Sequence, residues 1–127
     1  MSGRYILSIV TDFSASHILE GHPGKCSRLH GHNWSVEVEV EARELDRLGM
    51  AIDFAELKAA TRQIVETMDH RHLNDLPEFA GINPTAEHVA GAIYRALRTW
   101  LSGHHARLSA VTVWETAHAR VRYTEED

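Results

Sequence analysis

The sequence has little cysteine and no excess of positive charge, and each shortage excludes a class of protein. Its 127 residues include a single cysteine, Cys26, which can form no disulfide within the chain and suits a reducing cytoplasm. Thirteen Lys and Arg residues stand against eighteen Asp and Glu residues, for a formal net charge of −5 at pH 7. A general nucleic-acid binder normally carries a basic stripe. None is visible here, so we expect no nucleic-acid partner.

The sequence also shows no membrane-spanning segment, no signal peptide and no linker between domains. No apolar run approaches the roughly 18 residues of a membrane span, so we expect no membrane contact. The first residues lead directly into a strand pattern without the apolar segment of a signal peptide, and we therefore expect a cytoplasmic location. No linker, low-complexity tract or tandem repeat interrupts the chain, which predicts one domain over residues 1–127.

Alternating apolar and polar residues predict strands at both ends of the chain. In residues 5–17 one parity is mostly apolar, while residues 33–42 have one apolar face and one face of Ser and Glu. Two further strands are predicted at residues 108–115 and 119–123. A strand with one polar face is typical of an antiparallel sheet.

Two amphipathic helices are predicted between the two pairs of strands. Asp53 followed by Glu56 predicts a capping box, after which apolar residues recur at helical spacing as far as Met68. Thr85 can cap the second helix, which ends at Gly103. The order strand, strand, helix, helix, strand, strand keeps strands and helices in separate runs, and this predicts an α+β fold.

Histidine is the residue in excess, with ten copies, and three of them have a pattern typical of metal ligands. His30 and His32 enter the second strand as a His-Gly-His pair, so both imidazoles point to its apolar face. His17 lies on the apolar parity at the end of the first strand. Three neutral imidazoles suit zinc with one open position, the arrangement of a catalytic site, although other transition metals also accept such ligands.

The other histidines divide into one weak candidate and six without a ligand spacing. His70 follows Asp69 at the end of the first helix, and an adjacent Asp-His pair is weak evidence by itself. The remaining six we assign to the surface or the core: His22, His72, His88, His104, His105 and His118.

Three interpretations of Cys26 are open on the sequence alone. It could close the metal site as a fourth ligand, or it could be a small buried residue, which is the commonest role of a free cysteine. Alternatively, Lys25 and Arg28 favour the thiolate, which would make Cys26 a base or nucleophile.

Taken together, short motifs in order along the chain resemble the superfamily of 6-pyruvoyl- and 6-carboxy-tetrahydropterin synthases. They are Phe13-Ser-Ala-Ser-His17, Cys26-Ser-Arg-Leu-His30-Gly-His32, Ile52-Asp-Phe54, Asp69-His70 with Leu73-Asn-Asp75, Asn83-Pro-Thr-Ala-Glu87 and Trp114-Glu-Thr116. The resemblance implies the tunnelling fold, a four-stranded antiparallel sheet with two helices on one face. It also implies that three subunits close into a barrel and that two trimers stack into a homohexamer. The uncovered edges of a small sheet favour such assembly.

The resemblance also implies roles for the metal and proton-transfer residues. Three histidines match the ligands of one Zn²⁺ per subunit: His17, His30 and His32. Cys26 matches the catalytic proton acceptor, and Asp69 and His70 match its supporting relay.

A second group of residues is matched to substrate binding. Glu115 matches the carboxylate that anchors the pterin, which presents a ring N–H and an amine side by side. Thr85 and Glu87 match a region near the pterin pocket, although Thr85 is also explained as a helix cap. Lys25 and Arg28 are our candidates for binding a triphosphate.

The three residues between Cys26 and His30 resemble the bacterial 6-carboxy-tetrahydropterin synthases of the deazapurine route. That resemblance implies conversion of 7,8-dihydroneopterin triphosphate to 6-carboxy-tetrahydropterin, acetaldehyde and triphosphate, for queuosine or another deazapurine. Two alternatives are a 6-pyruvoyl-tetrahydropterin synthase and a non-catalytic metal- or pterin-binding module on the same fold.

Overall fold

The computed structural model describes residues 3–126, whose elements follow the predicted order with one addition. The strands are β1 (Tyr5–His17), β2 (His30–Ala42), β3 (Arg71–His72), β4 (Arg107–Thr116) and β5 (Ala119–Tyr123). The helices are α1 (Phe54–Val65) and α2 (Ala86–Leu101), and short 3-10 turns cover Lys25–Ser27, Leu73–Asp75 and Pro77–Phe79. No helix among these residues is long and apolar enough to span a membrane.

The strands form one mixed sheet in the order β3-β1-β2-β4-β5. β1 and β2 pair antiparallel over their full lengths, from Tyr5 opposite Ala42 to His17 opposite His30. β4 and β5 extend the antiparallel sheet beyond β2. The α+β prediction is therefore confirmed, with four long or medium strands as expected.

The fifth strand, β3, is the difference from the prediction. Its two residues pair parallel with Ala15 and Ser16 at the end of β1, in the segment between the two helices, where the sequence analysis predicts no strand. A two-residue strand is too short to show an alternating pattern. Backbone hydrogen bonds hold it, such as the one that His70 N–H donates to Ser14 O at 2.6 Å. Such bonds leave no pattern in the side chains from which the strand could be predicted.

One face of the sheet packs against both helices and forms the core. Phe13 lies opposite Trp34 in the register, and their rings stack with centroids 5.8 Å apart. The buried residues of the helices are spaced at three and four positions, as a helix packed on a sheet requires. They include Leu57 and Val65 of α1 and Val89, Ile93 and Leu97 of α2.

The helix ends agree only partly with the sequence prediction. The Asp53 carboxylate accepts from Ala55 N, and Thr85 accepts from His88 N, so both predicted caps form. Glu56 was expected to complete a capping box, but its Oε1 lies 3.5 Å from the Nε2 of His104 near the end of α2. α1 ends at Val65, and the following turn carries the buried Met68.

Candidate functional site

The β1–β2 register brings the three predicted histidines together. His17 lies opposite His30, and His32 lies opposite Ala15, two pairs further along the ladder. Directly opposite residues of an antiparallel pair project to the same face, so all three imidazoles point toward the helices. The ring centroids lie 4.4 Å (His17–His30), 4.9 Å (His30–His32) and 5.3 Å (His17–His32) apart.

Backbone carbonyls set the tautomer of two of these histidines. His17 Nδ1 lies 2.8 Å from the carbonyl oxygen of Pro84, and His30 Nδ1 lies 2.7 Å from that of Arg28. A carbonyl only accepts, so each Nδ1 carries the proton and each Nε2 keeps a free lone pair. Metal-binding histidines are commonly oriented in this way.

The freed nitrogens are buried without partners, and this is the test of whether the site fits a metal. The Nε2 atoms of His17, His30 and His32 are all inaccessible to solvent and make no hydrogen bond. Leaving three buried ring nitrogens unsatisfied is costly, and one cation contacting all three would remove that cost. The residues therefore fit a bound metal ion.

Burial also keeps the imidazoles in the state that a metal needs. It lowers the pKa of His17 and that of His32, while the Glu115 carboxylate acts in the opposite direction on both, as does the hydrogen bond to Pro84 O on His17. The neutral form is favoured, and only a neutral imidazole can coordinate.

Glu115 completes the group of donor atoms. Its parity on β4 places it on the inner face, and its Oε1 lies 3.3 Å from His32 Nε2 without the alignment of a hydrogen bond. The donor atoms of the three histidines and Glu115 all lie within 4.8 Å of one another. Nitrogen donors with one carboxylate suit zinc or a neighbouring transition metal rather than calcium or magnesium.

Cys26 stands outside that donor group. It lies half-buried in the 3-10 turn Lys25–Ser27, and its carbonyl oxygen accepts from Leu19 N at 2.8 Å. In the residues described, the group of possible metal donors includes Glu115 and leaves out Cys26. This arrangement argues against Cys26 as a closing ligand and leaves its other two interpretations open.

Asp69 and His70 form a pair at the edge of β1. Asp69 Oδ1 accepts from Ser14 N at 2.9 Å and lies 3.0 Å from His70 Nδ1. The Ser14 hydrogen bond, then the contact with His70, lowers the pKa of Asp69. His70 has a φ of 57°, a left-handed conformation that costs a residue with a side chain about 1 kcal/mol or more.

An open groove lies beside His70 at the ends of β1 and β2, and of the three clustered histidines His32 alone is among the described residues that line it. His70 and His32 line it together with Ser14, Ser16, Gly31, Asn33, Arg71 and His72. The His70 side chain is 82% exposed, so its imidazole is available to a molecule in that groove or to another chain.

The remaining substrate-binding candidates lie at the surface. Lys25, Arg28 and Glu87 are exposed, and among the described residues Glu87 is not part of the group of possible metal donors. Thr85 caps α2, and the neighbouring Pro84 supplies the carbonyl that orients His17.

Four residues near the centre were missed as functional positions by the sequence analysis. They are Ser14, Asn74, Asn83 and Pro84, which contact backbone or ring groups of the site region. The motifs Leu73-Asn-Asp75 and Asn83-Pro contain three of them, but without an assigned role.

Comparisons with known proteins show the family and the fold of the chain. The sequence model of a family described as 6-pyruvoyl tetrahydropterin synthase matches residues 6–126. A Synechocystis protein named 6-carboxy-5,6,7,8-tetrahydropterin synthase is 37% identical over 117 positions, covering 87% of this chain and 86% of that protein. A Dictyostelium discoideum protein named 6-pyruvoyl tetrahydrobiopterin synthase is 32% identical, covering 99% of this chain and all of that protein. The structure of Caenorhabditis elegans 6-pyruvoyl tetrahydropterin synthase superposes with a TM-score of 0.87 at 29% identity, over 98% of both chains.

Proposed function

Because the chain belongs to the 6-pyruvoyl tetrahydropterin synthase family, we propose that it is a zinc-dependent 6-carboxy-5,6,7,8-tetrahydropterin synthase. Its substrate is then 7,8-dihydroneopterin triphosphate, and its products are 6-carboxy-tetrahydropterin, acetaldehyde and triphosphate. The observation that carries the proposal is the trio of buried, unpartnered Nε2 atoms beside a carboxylate.

His17, His30 and His32 would hold the zinc ion. When bound, zinc supplies Lewis acidity that makes the hydroxyl protons of a pterin side chain easier to remove. The hydrogen bonds from His17 and His30 to Pro84 O and Arg28 O fix both rings before the ion arrives. The cost of ordering the ligands is thus met by the fold.

Glu115 would anchor the pterin ring. A carboxylate accepts two adjacent N–H groups at once, and the pterin presents its ring N–H and exocyclic amine side by side. Glu115 lies beside His32, so a pterin that it holds projects its side chain next to the metal ligands. Such orientation removes much of the entropic barrier to reaction.

Cys26 would act as the base and Asp69–His70 as its proton relay. A positioned base typically contributes about 10²–10⁴-fold to the rate. Asp69 fixes the imidazole of His70 through Nδ1, leaving Nε2 to accept or donate a proton. Lys25 and Arg28 offer the exposed positive charge that a triphosphate requires.

The proposed assembly is a homohexamer of two stacked trimers, each subunit forming one domain. β3 covers only Ala15 and Ser16 of β1, so the earlier part of that strand has an open edge. Ile6 and Val10 on this part are 57% and 58% exposed. An open edge with exposed apolar side chains is stabilised by pairing with another strand, and β5 forms the opposite edge of the sheet.

The proposed pathway is deazapurine biosynthesis of the queuosine type, in the cytoplasm. It is supported by the three-residue spacing between Cys26 and His30 and by relatives named 6-carboxy-tetrahydropterin synthase. The second candidate is a 6-pyruvoyl-tetrahydropterin synthase, favoured by the full-length match to the Dictyostelium protein. A non-catalytic binding module has no need of the strained His70 beside Asp69.

Product analysis separates these three functions. The zinc-loaded protein is incubated with 7,8-dihydroneopterin triphosphate, and acetaldehyde and the pterin product are identified. The proposed reaction breaks a side-chain carbon–carbon bond and releases acetaldehyde, whereas the pyruvoyl reaction keeps that bond and eliminates triphosphate. Triphosphate release without acetaldehyde would establish the second candidate, and an unconsumed substrate would establish the binding module.

A further inference from the structure

Two asparagine side chains bind the backbone directly after His17. Asn74 Oδ1 accepts from Ile18 N and Asn74 Nδ2 donates to Ile18 O, both at 2.9 Å. Asn83 does the same with Glu20: its Oδ1 accepts from Glu20 N at 2.8 Å and its Nδ2 donates to Glu20 O at 2.9 Å. Each side-chain amide therefore binds both the backbone N–H and the backbone C=O of one residue, as a neighbouring strand does in an antiparallel sheet.

The residue between the two contacts faces the cysteine turn. In an extended segment successive N–H groups point to opposite sides, so Leu19 N faces away from the asparagines. It donates to Cys26 O at 2.8 Å, and Leu19 O accepts from His22 N at 3.2 Å. The backbone that carries Cys26 is thus tied to a segment that both asparagines hold.

Both asparagines are attached to well-packed parts of the fold. Asn74 follows Leu73, which is fully buried in the core. The carbonyl of Asn83 accepts from Thr85 N at 2.9 Å and lies 2.7 Å from His88 Nδ1, which joins it to the first turn of α2. The contacts therefore connect residues 18–20 to the core and to a long helix.

We propose that Asn74 and Asn83 are positioning residues, which hold the segment after His17 so that Cys26 keeps a fixed place relative to the histidine centre. The inference rests on the proposed function, in which Cys26 moves protons. It gives a role to Leu73-Asn-Asp75 and Asn83-Pro, whose asparagines neither belong to the donor group nor line the groove. A displacement of about 1 Å in a reacting group can lower a rate about 10²-fold.

The two pairs of hydrogen bonds differ in burial, and this predicts which asparagine has the larger effect on Cys26. The Asn74–Ile18 bonds are partly buried, whereas the Asn83–Glu20 bonds are exposed. Solvent can replace an exposed hydrogen bond more readily than a buried one. Loss of the Asn74 side chain therefore has the larger effect.

The test uses full-length Asn74→Ala and Asn83→Ala proteins, with Asp46→Ala as a matched control. Asp46 also holds a loop through two side-chain contacts, to Leu48 N and Met50 N, but beyond the opposite end of β2. We expect kcat to fall about 10²-fold for Asn74→Ala and about tenfold for Asn83→Ala, with KM nearly unchanged because Glu115 is untouched. The control keeps kcat within about twofold.

A second measurement needs no substrate. Cys26 is the only thiol in the sequence, so its alkylation by iodoacetamide is a clean signal. Release of its turn raises the alkylation rate on the order of tenfold in Asn74→Ala and leaves Asp46→Ala as wild type. Should the wild type fail to consume dihydroneopterin triphosphate, the proposed function is wrong and this measurement alone decides the positioning role.

An isosteric variant covers the case in which Asn74→Ala does not fold. Asn74→Asp keeps an acceptor for Ile18 N and removes the donor to Ile18 O, and we expect it to change kcat and alkylation in the same directions. Wild-type kcat and alkylation in the folded Asn74 variants would overturn the inference. So would an equal loss in Asp46→Ala, since that would show a general response to a loosened loop.

Discussion

His17 Nδ1 lies 2.8 Å from the carbonyl oxygen of Pro84, a residue 67 positions later in the chain. This contact joins the end of β1 to the residue before the cap of α2. It also turns His17 Nε2 toward those of His30 and His32. A single long-range hydrogen bond therefore links the packing of the helix layer to the chemistry of the donor group.

Replacing His32 by Ala should remove most of the bound zinc and all turnover, because a two-histidine site loses both affinity and geometry. Elemental analysis of the purified variant measures the zinc. The exposed His105→Ala serves as the control and should keep one zinc per subunit. Stoichiometric zinc in the His32 variant would remove His32 from the ligand set.

The Cys26→Ala protein should keep its zinc, its fold and its pterin affinity while losing turnover. The reason is that the donor group forms without Cys26, which leaves the thiol available for proton transfer. Zinc analysis, circular dichroism and pterin titration are compared with a turnover assay. Loss of the metal together with activity would identify Cys26 as a structural ligand instead.

Acid should weaken the fold through Asp69. The pKa of Asp69 is lowered in the folded protein by Ser14 N, then by His70, so its contribution to stability is complete above the ordinary value of about 3.9. That contribution disappears as the pH falls through the lower folded-state value. Thermal unfolding of metal-free wild type and Asp69→Asn should show a gap in Tm at neutral pH that closes in acid. A gap of constant size from about pH 6 to about pH 3 would mean that folding does not alter this group.

Glycine should be better tolerated than alanine at position 70. The φ of 57° strains any residue with a Cβ, so His70→Gly is expected to be about 1 kcal/mol more stable than His70→Ala in urea unfolding. Both variants should lose turnover if His70 relays protons. As a control, the order reverses at Lys58, an exposed position inside α1, where Ala exceeds Gly by about 1 kcal/mol. The same order at both positions would show that the strain at residue 70 is absent.

Periodic side-chain patterns predicted the long strands and the helices of the fold. The alternation in residues 33–42 and the helical spacing after Thr85 each follow from which face is buried, and the structure has a strand and a helix there. The His-Gly-His spacing similarly placed two imidazoles on one face. Burial is encoded in residue type, so it can be predicted from the sequence.

Backbone contacts were the parts that could not be predicted. Pro84 O and Arg28 O orient His17 and His30, yet every residue has a carbonyl and nothing in the sequence marks these two. β3 likewise depends on backbone bonds to β1 rather than on an apolar pattern. The inclusion of Glu115 in the donor group depends on the β2–β4 pairing, which a single sequence does not specify.

The β1–β2 ladder runs unbroken from Tyr5 to His17, so the donor group forms only when these two strands are correctly aligned. A slip of one residue would turn His30 and His32 to the outer face together with Trp34, because all three share one parity. A misaligned chain therefore loses its apolar layer and its donor group in the same event. Under the proposed metal binding, the metal bound per chain therefore measures the fraction of molecules in which β1 and β2 are correctly paired, and metal analysis becomes an assay of folding.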